Sequence, residues 1–209
     1  SSLGAGFRAR RFLPSAETMS ARRDLFYPQF YFNFFSIFLF SLVLIIFNNK
    51  LNIYFFKDEI NYSPILIPLY LIFYFLYSQA SDYFRYTSRV SYMTIIGFIF
   101  PYLQIILVLL LYYIYKIITI NTLIISQSLS ACIVSFFCFW IIFKEIGICF
   151  KFYNLKSLLS DIKLGLPLIL NFVFDFILTG IDRYFIGFFM SVTDVGFYSP
   201  AYMLGFFII

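Results

Sequence analysis

The sequence predicts an all-α membrane protein, a polytopic transmembrane helix bundle, and three observations predict it. Hydrophobic residues make up 62% of the 209 positions and charged residues only 12%, against about 45–50% and about 25% in an ordinary soluble domain. The apolar residues run in continuous stretches of the length that a bilayer demands, about 20 residues for about 30 Å of hydrocarbon. Those stretches lack the apolar/polar alternation of a closed β-barrel, the other spanning solution. A soluble chain of this length has no room to hide so much Phe, Ile, Leu and Tyr.

Taken in order, residues 1–28 form a basic segment without the apolar run of a signal peptide. Four spans follow within residues 29–143, at 29–47, 64–81, 92–115 and 122–143. Pro68 and Pro101 fall inside two of them, where a missing donor predicts a kink. Residues 144–163, "KEIGICFKFYNLKSLLSDIK", read as a basic linker between two helical groups, suited to anionic headgroups. A fifth span at 164–190 and a truncated sixth at 195–209 begin a second group. The chain starts with Ser and stops inside a span, so a piece of a longer protein is expected, with 1–28 following a missing span.

Orientation follows from the basic residues. With 1–28 cytoplasmic, that side collects Arg8, Arg10, Arg11, Arg22, Arg23, Arg85, Arg89, Lys144, Lys151, Lys156 and Lys163, and the other side only Lys50, Lys57 and Lys116. This is a positive-inside distribution and indicates a multi-pass protein of the cytoplasmic membrane. The net charge of +5 therefore calls for membrane lipids as partners and for no nucleic acid.

Absences narrow the chemistry. The sequence contains no histidine, which removes b-type haem ligation, most zinc and copper sites and His-based acid/base catalysis. Cys132, Cys138 and Cys149 lack metal-site spacing and read as packing residues. There is no glycine-rich phosphate loop and no GxSxG turn. The most acidic short loop, "KDEINYS", is small and solvated. No cofactor, no metal and no enzymatic activity are expected.

One stretch stands out. "LNFVFDFILTGIDRYFIG" carries Asp175, Asp182 and Arg183 inside a span. At about 100° per residue, Asn171, Asp175, Thr179, Asp182 and Arg183 share an arc of about 120°, while Phe and Ile fill most of the remainder. An Asp near a helix centre costs about 2.5–3.5 kcal/mol on insertion scales, so this stripe is expected to turn away from lipid. Either Asp182 and Arg183 sit at the outer interface with Asp175 neutral or hydrogen-bonded to a neighbouring helix, or the stripe lines a translocation path. In the second reading Arg183 attracts an anionic substrate and Asp175 or Asp182 couples an ion.

The segment from Leu164 to Gly205 resembles the seventh and eighth helices of the oligosaccharide flippases, the polysaccharide-biosynthesis transporters of the multidrug/oligosaccharidyl-lipid/polysaccharide exporter superfamily. The matching residues are Gly165, Leu166 and Pro167, then Asp182, Arg183, Tyr184 and Gly187, then Val195, Gly196, Tyr198, Ser199, Ala201, Tyr202, Leu204 and Gly205. "RFLP" at Arg11 to Pro14 looks like the end of the family's second helix, and "YFRYTSRVSY" is similar to the basic turn after its fourth.

The resemblance implies a MATE-like fold of two helical bundles with alternating access. It implies transfer of a polyprenyl-diphosphate-linked oligosaccharide to the outer leaflet for cell-surface polysaccharide biosynthesis, with other polysaccharide-assembly membrane proteins as partners. Arg11 and Arg183 would take the diphosphate, Arg8 and Arg85 standing in reserve, because a guanidinium grips phosphate oxygens in pairs and stays charged. Asn171 and Tyr198 join the substrate side, Tyr198 and Tyr202 either stacking on sugars or anchoring at the interface. Asp175, Pro200 and Met203 depart from the family pattern. Two other readings stand beside it: a cation-coupled small-molecule exporter of the same superfamily, which Asp175 favours, and a multispanning enzyme acting on polyprenyl-linked sugars.

Overall fold

The computed structural model describes residues 5–16, 18–48, 63–150 and 155–206. These form seven helices and, among the described residues, no strand: α1 (Ala5–Phe12), α2 (Met19–Ile46), α3 (Leu66–Tyr86), α4 (Val90–Tyr115), α5 (Ile120–Ile146), α6 (Leu155–Phe189) and α7 (Val192–Phe206). Lys50, Lys57 and Lys151 lie outside the described residues, as does most of "KDEINYS".

Each helix starts where its local chemistry allows. Thr18 caps α2 by accepting the Ala21 amide at 3.3 Å. Thr119 and Thr122 form a reciprocal capping box at the start of α5, and Ser191 accepts the Asp194 amide at 3.2 Å ahead of α7. Such caps satisfy amides that have no partner inside the helix.

The helices extend beyond the apolar runs. α2 starts at Met19, so Pro28 lies inside it, and α6 starts at Leu155, inside the segment read as a linker. Hydropathy registers the part of a helix suited to hydrocarbon, whereas backbone bonding continues through flanking polar turns. Pro68 occupies the first turn of α3, where an amide has no helical acceptor to lose, so no kink is required there. Pro101 remains in the interior of α4.

Among the described residues three helices are long and apolar enough to cross a membrane: Met19–Ile46, Val90–Tyr115 and Ile120–Ile146. α3 ends in "SQASDYFRY", a polar stretch that lowers its apolarity. The outward face of α4 carries Phe98, Tyr102, Ile105, Leu109 and Tyr113, all more than half exposed. In water such a face would collapse or associate, and in lipid it is at home.

α3 and α5 are the central pair, with α2 and α4 packed beside them, while α6 packs on α7 and on α1. Two polar contacts fix the directions. The Ser63 amide donates to Asn121 Oδ1 at 3.1 Å, joining the starts of α3 and α5, and Arg22 of α2 reaches Glu145 at the end of α5. The chain therefore runs up and down, with the start of α2, the turn between α3 and α4 and the end of α5 at one end. Those segments are the ones the charge distribution assigns to one side.

α5 packs closely because its inward face is small. Ser126, Ser128, Ser130, Ala131 and Ser135 are buried, and the hydroxyls of these serines donate to carbonyls three or four residues back at 2.7 to 2.9 Å. A small residue lets helix backbones approach, and the self-bonded hydroxyl adds no unsatisfied polar group. Towards the other end the core becomes aromatic and aliphatic, built from Phe26, Tyr27, Tyr83, Phe84, Phe139 and Ile142.

Candidate functional site

The final turns of α6 and the body of α7 bring four of the resemblance residues together. Tyr198 donates its hydroxyl to Asp182 Oδ2, and Asp182 Oδ1 accepts the Arg183 amide at 2.8 Å. The Arg183 guanidinium lies 5.2 Å from the centroid of the Tyr202 ring, whose own centroid is 5.8 Å from that of Tyr198. Arg183 Nε is buried and unpartnered among the described residues. A cation, a carboxylate and two phenol rings thus converge between two helices.

The local sequence explains why α7 can turn back so closely. Helix α6 ends at Phe189 and α7 begins at Val192, after the Ser191 cap. A Cβ built on Gly187 would meet Val195 Cγ2 at 3.4 Å, so the glycine of the "DRYFIG" run faces the returning helix at contact distance. Asp194 in the first turn of α7 accepts the Ser191 hydroxyl at 2.6 Å and complements the positive end of that helix.

The other predicted site residues stand apart from this cluster. Asn171 and Asp175 are exposed on α6, Asp175 lying about 10 Å before Asp182 along the axis. The Asp175 carbonyl accepts the Thr179 hydroxyl at 2.7 Å. Arg11 is exposed in the last turn of α1, its guanidinium 5.5 Å from the Phe12 ring. Arg85 pairs with Asp82 at 3.8 Å within α3. Among the described residues no three His, Cys, Asp or Glu side chains gather as metal ligands.

A second polar constellation lies at the basic end of the bundle and was not foreseen from the sequence. Glu145 Oε1 accepts from Arg22 at 3.0 Å and from Arg89 at 2.7 Å, and the Glu145 side chain is only 7% exposed. Arg22 Nε also donates to the Ala16 carbonyl at 2.9 Å. Next to it Tyr27 and Tyr31 donate to the carbonyls of Gly147 and Cys149. Deeper in α2, Asn33 is buried, and neither of its amide atoms has a partner among the described residues. A lone Glu within "KEIG" carries no local pattern, since its partners lie 123 and 56 residues away in the chain.

Long apolar helices, outward Phe, Ile and Leu, and a small-residue helix seam define an all-helical membrane protein. Residues 19–209 match the model of the family described as polysaccharide biosynthesis protein, and the chain belongs to that family. No curated protein and no solved structure matches it.

Proposed function

We propose that this protein is a multi-pass transporter of the cytoplasmic membrane that flips a polyprenyl-diphosphate-linked oligosaccharide to the outer leaflet. Its helices would form a MATE-like arrangement of two bundles, six spans of which fall in this sequence, and it would act without enzymatic chemistry. One observation carries the reading: in a chain of the polysaccharide biosynthesis family, Arg183 and Asp182 meet Tyr202 and Tyr198 between α6 and α7. Arg183 suits a diphosphate because its planar fork remains charged when partly desolvated. The tyrosine rings suit sugar faces, and Asp182 holds one of them in place.

Arg11 would meet the diphosphate from the first bundle, Asn171 would hydrogen-bond the sugar portion, and Asp175 would couple an ion. The exposed carboxylate of Asp175 also favours a second reading, export of a small cationic molecule. A fluorescent polyprenyl-diphosphate sugar in vesicles containing the full-length protein separates the two. Arg183→Ala is expected to slow leaflet transfer about tenfold or more, the effect of one charge-assisted contact. Unchanged transfer in both Arg183→Ala and Asp175→Asn would remove the assigned roles.

A further inference from the structure

The arginine pair on Glu145 has more capacity than its clasp uses. Arg22 comes from the first turn of α2 and Arg89 from the turn that precedes α4, yet both reach the same carboxylate oxygen. Local backbone geometry puts Arg89 there: Ser88 adopts φ 57, and the Arg89 amide returns to the Phe84 carbonyl at 2.9 Å. The Glu145 carboxylate is nearly enclosed, while the arginine side chains remain 22% and 32% exposed. Two guanidinium groups and one carboxylate leave a net charge of +1.

A guanidinium has five N–H donors. Among the described residues Arg22 commits two donors, to Ala16 and Glu145, and Arg89 commits one, to Glu145. Arg89 also lies 5.9 Å from the Tyr92 ring centroid, which holds its plane. The other charged groups described at this end include Arg10, Arg23, Lys144 and Arg85 against Asp24 and Asp82, four cations against two carboxylates, so the surroundings do not cancel the excess. This is a preorganised fork pair: the buried acid fixes its geometry and the open sides keep donors for an incoming anion.

We propose that Arg22 and Arg89 form a phosphate-binding site at the basic end of the bundle, with Glu145 as its built-in competitor. The ligand chemistry is the anionic phosphoryl oxygens of a phosphodiester or a diphosphate, supplied either by an anionic lipid headgroup or by the diphosphate of a lipid-linked substrate. The site is separate from the α6–α7 cluster and stands whether or not Arg183 serves transport.

Binding of inorganic pyrophosphate to the full-length detergent-solubilised protein, read by calorimetry, tests the diphosphate source. Native mass spectrometry after exposure to phosphatidylglycerol tests the headgroup source. Arg89→Lys keeps a cation but loses the fork, and is expected to weaken whichever ligand binds about tenfold. Glu145→Gln keeps an acceptor for both arginines but removes the competing charge, and is expected to tighten binding several-fold. Pyrophosphate binding that follows these variants assigns the site to a diphosphate, and lipid retention that follows them assigns it to a headgroup. If neither ligand binds, or if both variants bind as the wild type does, Arg22, Arg89 and Glu145 form a structural clasp and the proposal is overturned.

Discussion

Tyr198 and Asp182 are joined across the α6–α7 turn by a phenol-to-carboxylate hydrogen bond between residues 16 apart in sequence. The same carboxylate accepts the amide of its neighbour Arg183, so the position of the α7 tyrosines and that of the α6 cation are set by one side chain. Loss of the phenol hydroxyl and loss of the acid should have the same consequence. Tyr198→Phe and Asp182→Ala are expected to slow leaflet transfer of the fluorescent lipid-linked sugar by similar factors, and the double variant to be little worse than either. Additive losses would mean that the two residues act separately.

Glu145 is the joint on which three segments of the first helical group meet. Removing it leaves two arginines facing each other without their acid. Breaking a buried pair from one side costs about 3–5 kcal/mol, and because both arginines here retain part of their hydration about 2–4 kcal/mol is expected for Glu145→Ala. Arg22→Gln and Arg89→Gln should each cost less, since one ion pair survives. Denaturation of the purified protein in detergent measures this, and an Arg22→Gln effect as large as that of Glu145→Ala would contradict the shared joint.

The serine face of α5 gives a contrast between chemistry and size. Ser130 is fully buried and, among the described residues, its hydroxyl donates only to the Gln127 carbonyl, at 2.9 Å. Ser130→Ala is therefore expected to be close to neutral. Ser130→Leu forces α5 away from its neighbours and should destabilise by about 1–3 kcal/mol. Equal tolerance of both substitutions would show that the packing at this level is loose.

Part of this architecture was legible in the sequence and part was not, for physical reasons. Apolar run length located the cores of α2, α4 and α5, because hydrocarbon thickness sets a length that any reader can count. It says nothing of the starts of α2 and α6, since Met19 and Leu155 lie in polar turns that hydrogen-bond as helix all the same. Asp182 and Arg183 stand out as ionisable groups inside an apolar run, Tyr198 is pointed to by the family resemblance alone, and α7 does fold back to bring them together. Arg22, Arg89 and Glu145 were read as members of charged surface segments. Their contact spans 123 and 56 residues of chain, and no local pattern reports a pairing over that distance.

Gly147 ends α5 with φ 66 and ψ 174, a conformation that essentially only glycine adopts. A Cβ there would meet nothing within 4 Å among the described residues, so the penalty expected from them is that of the backbone. Gly147→Ala is expected to cost about 1–3 kcal/mol, and to disturb the carbonyl that accepts the Tyr27 hydroxyl. Thermal denaturation of Gly147→Ala and of Gly147→Ala/Tyr27→Phe checks this. If the bond fails because the backbone relaxes, the second substitution adds little to the first.

The up-and-down order of helices makes a topological prediction. α4 has 26 residues, a length of about 39 Å at 1.5 Å per residue, which exceeds the hydrocarbon thickness of about 30 Å. Ser88 lies before its start, in the turn that leads to Arg89, and Ile118 lies beyond its end. Both are exposed. With Cys132, Cys138 and Cys149 replaced by alanine, Ser88→Cys should react with an impermeant maleimide only from the cytoplasmic side, and Ile118→Cys only from outside. The basic end with Arg22 and Arg89 fixes the direction, because cations flanking spans are retained on the cytoplasmic side. Labelling of both positions from one side would mean that α4 does not cross the bilayer, whatever its length, and labelling in the opposite sense would place the Arg22–Arg89 site outside the cell.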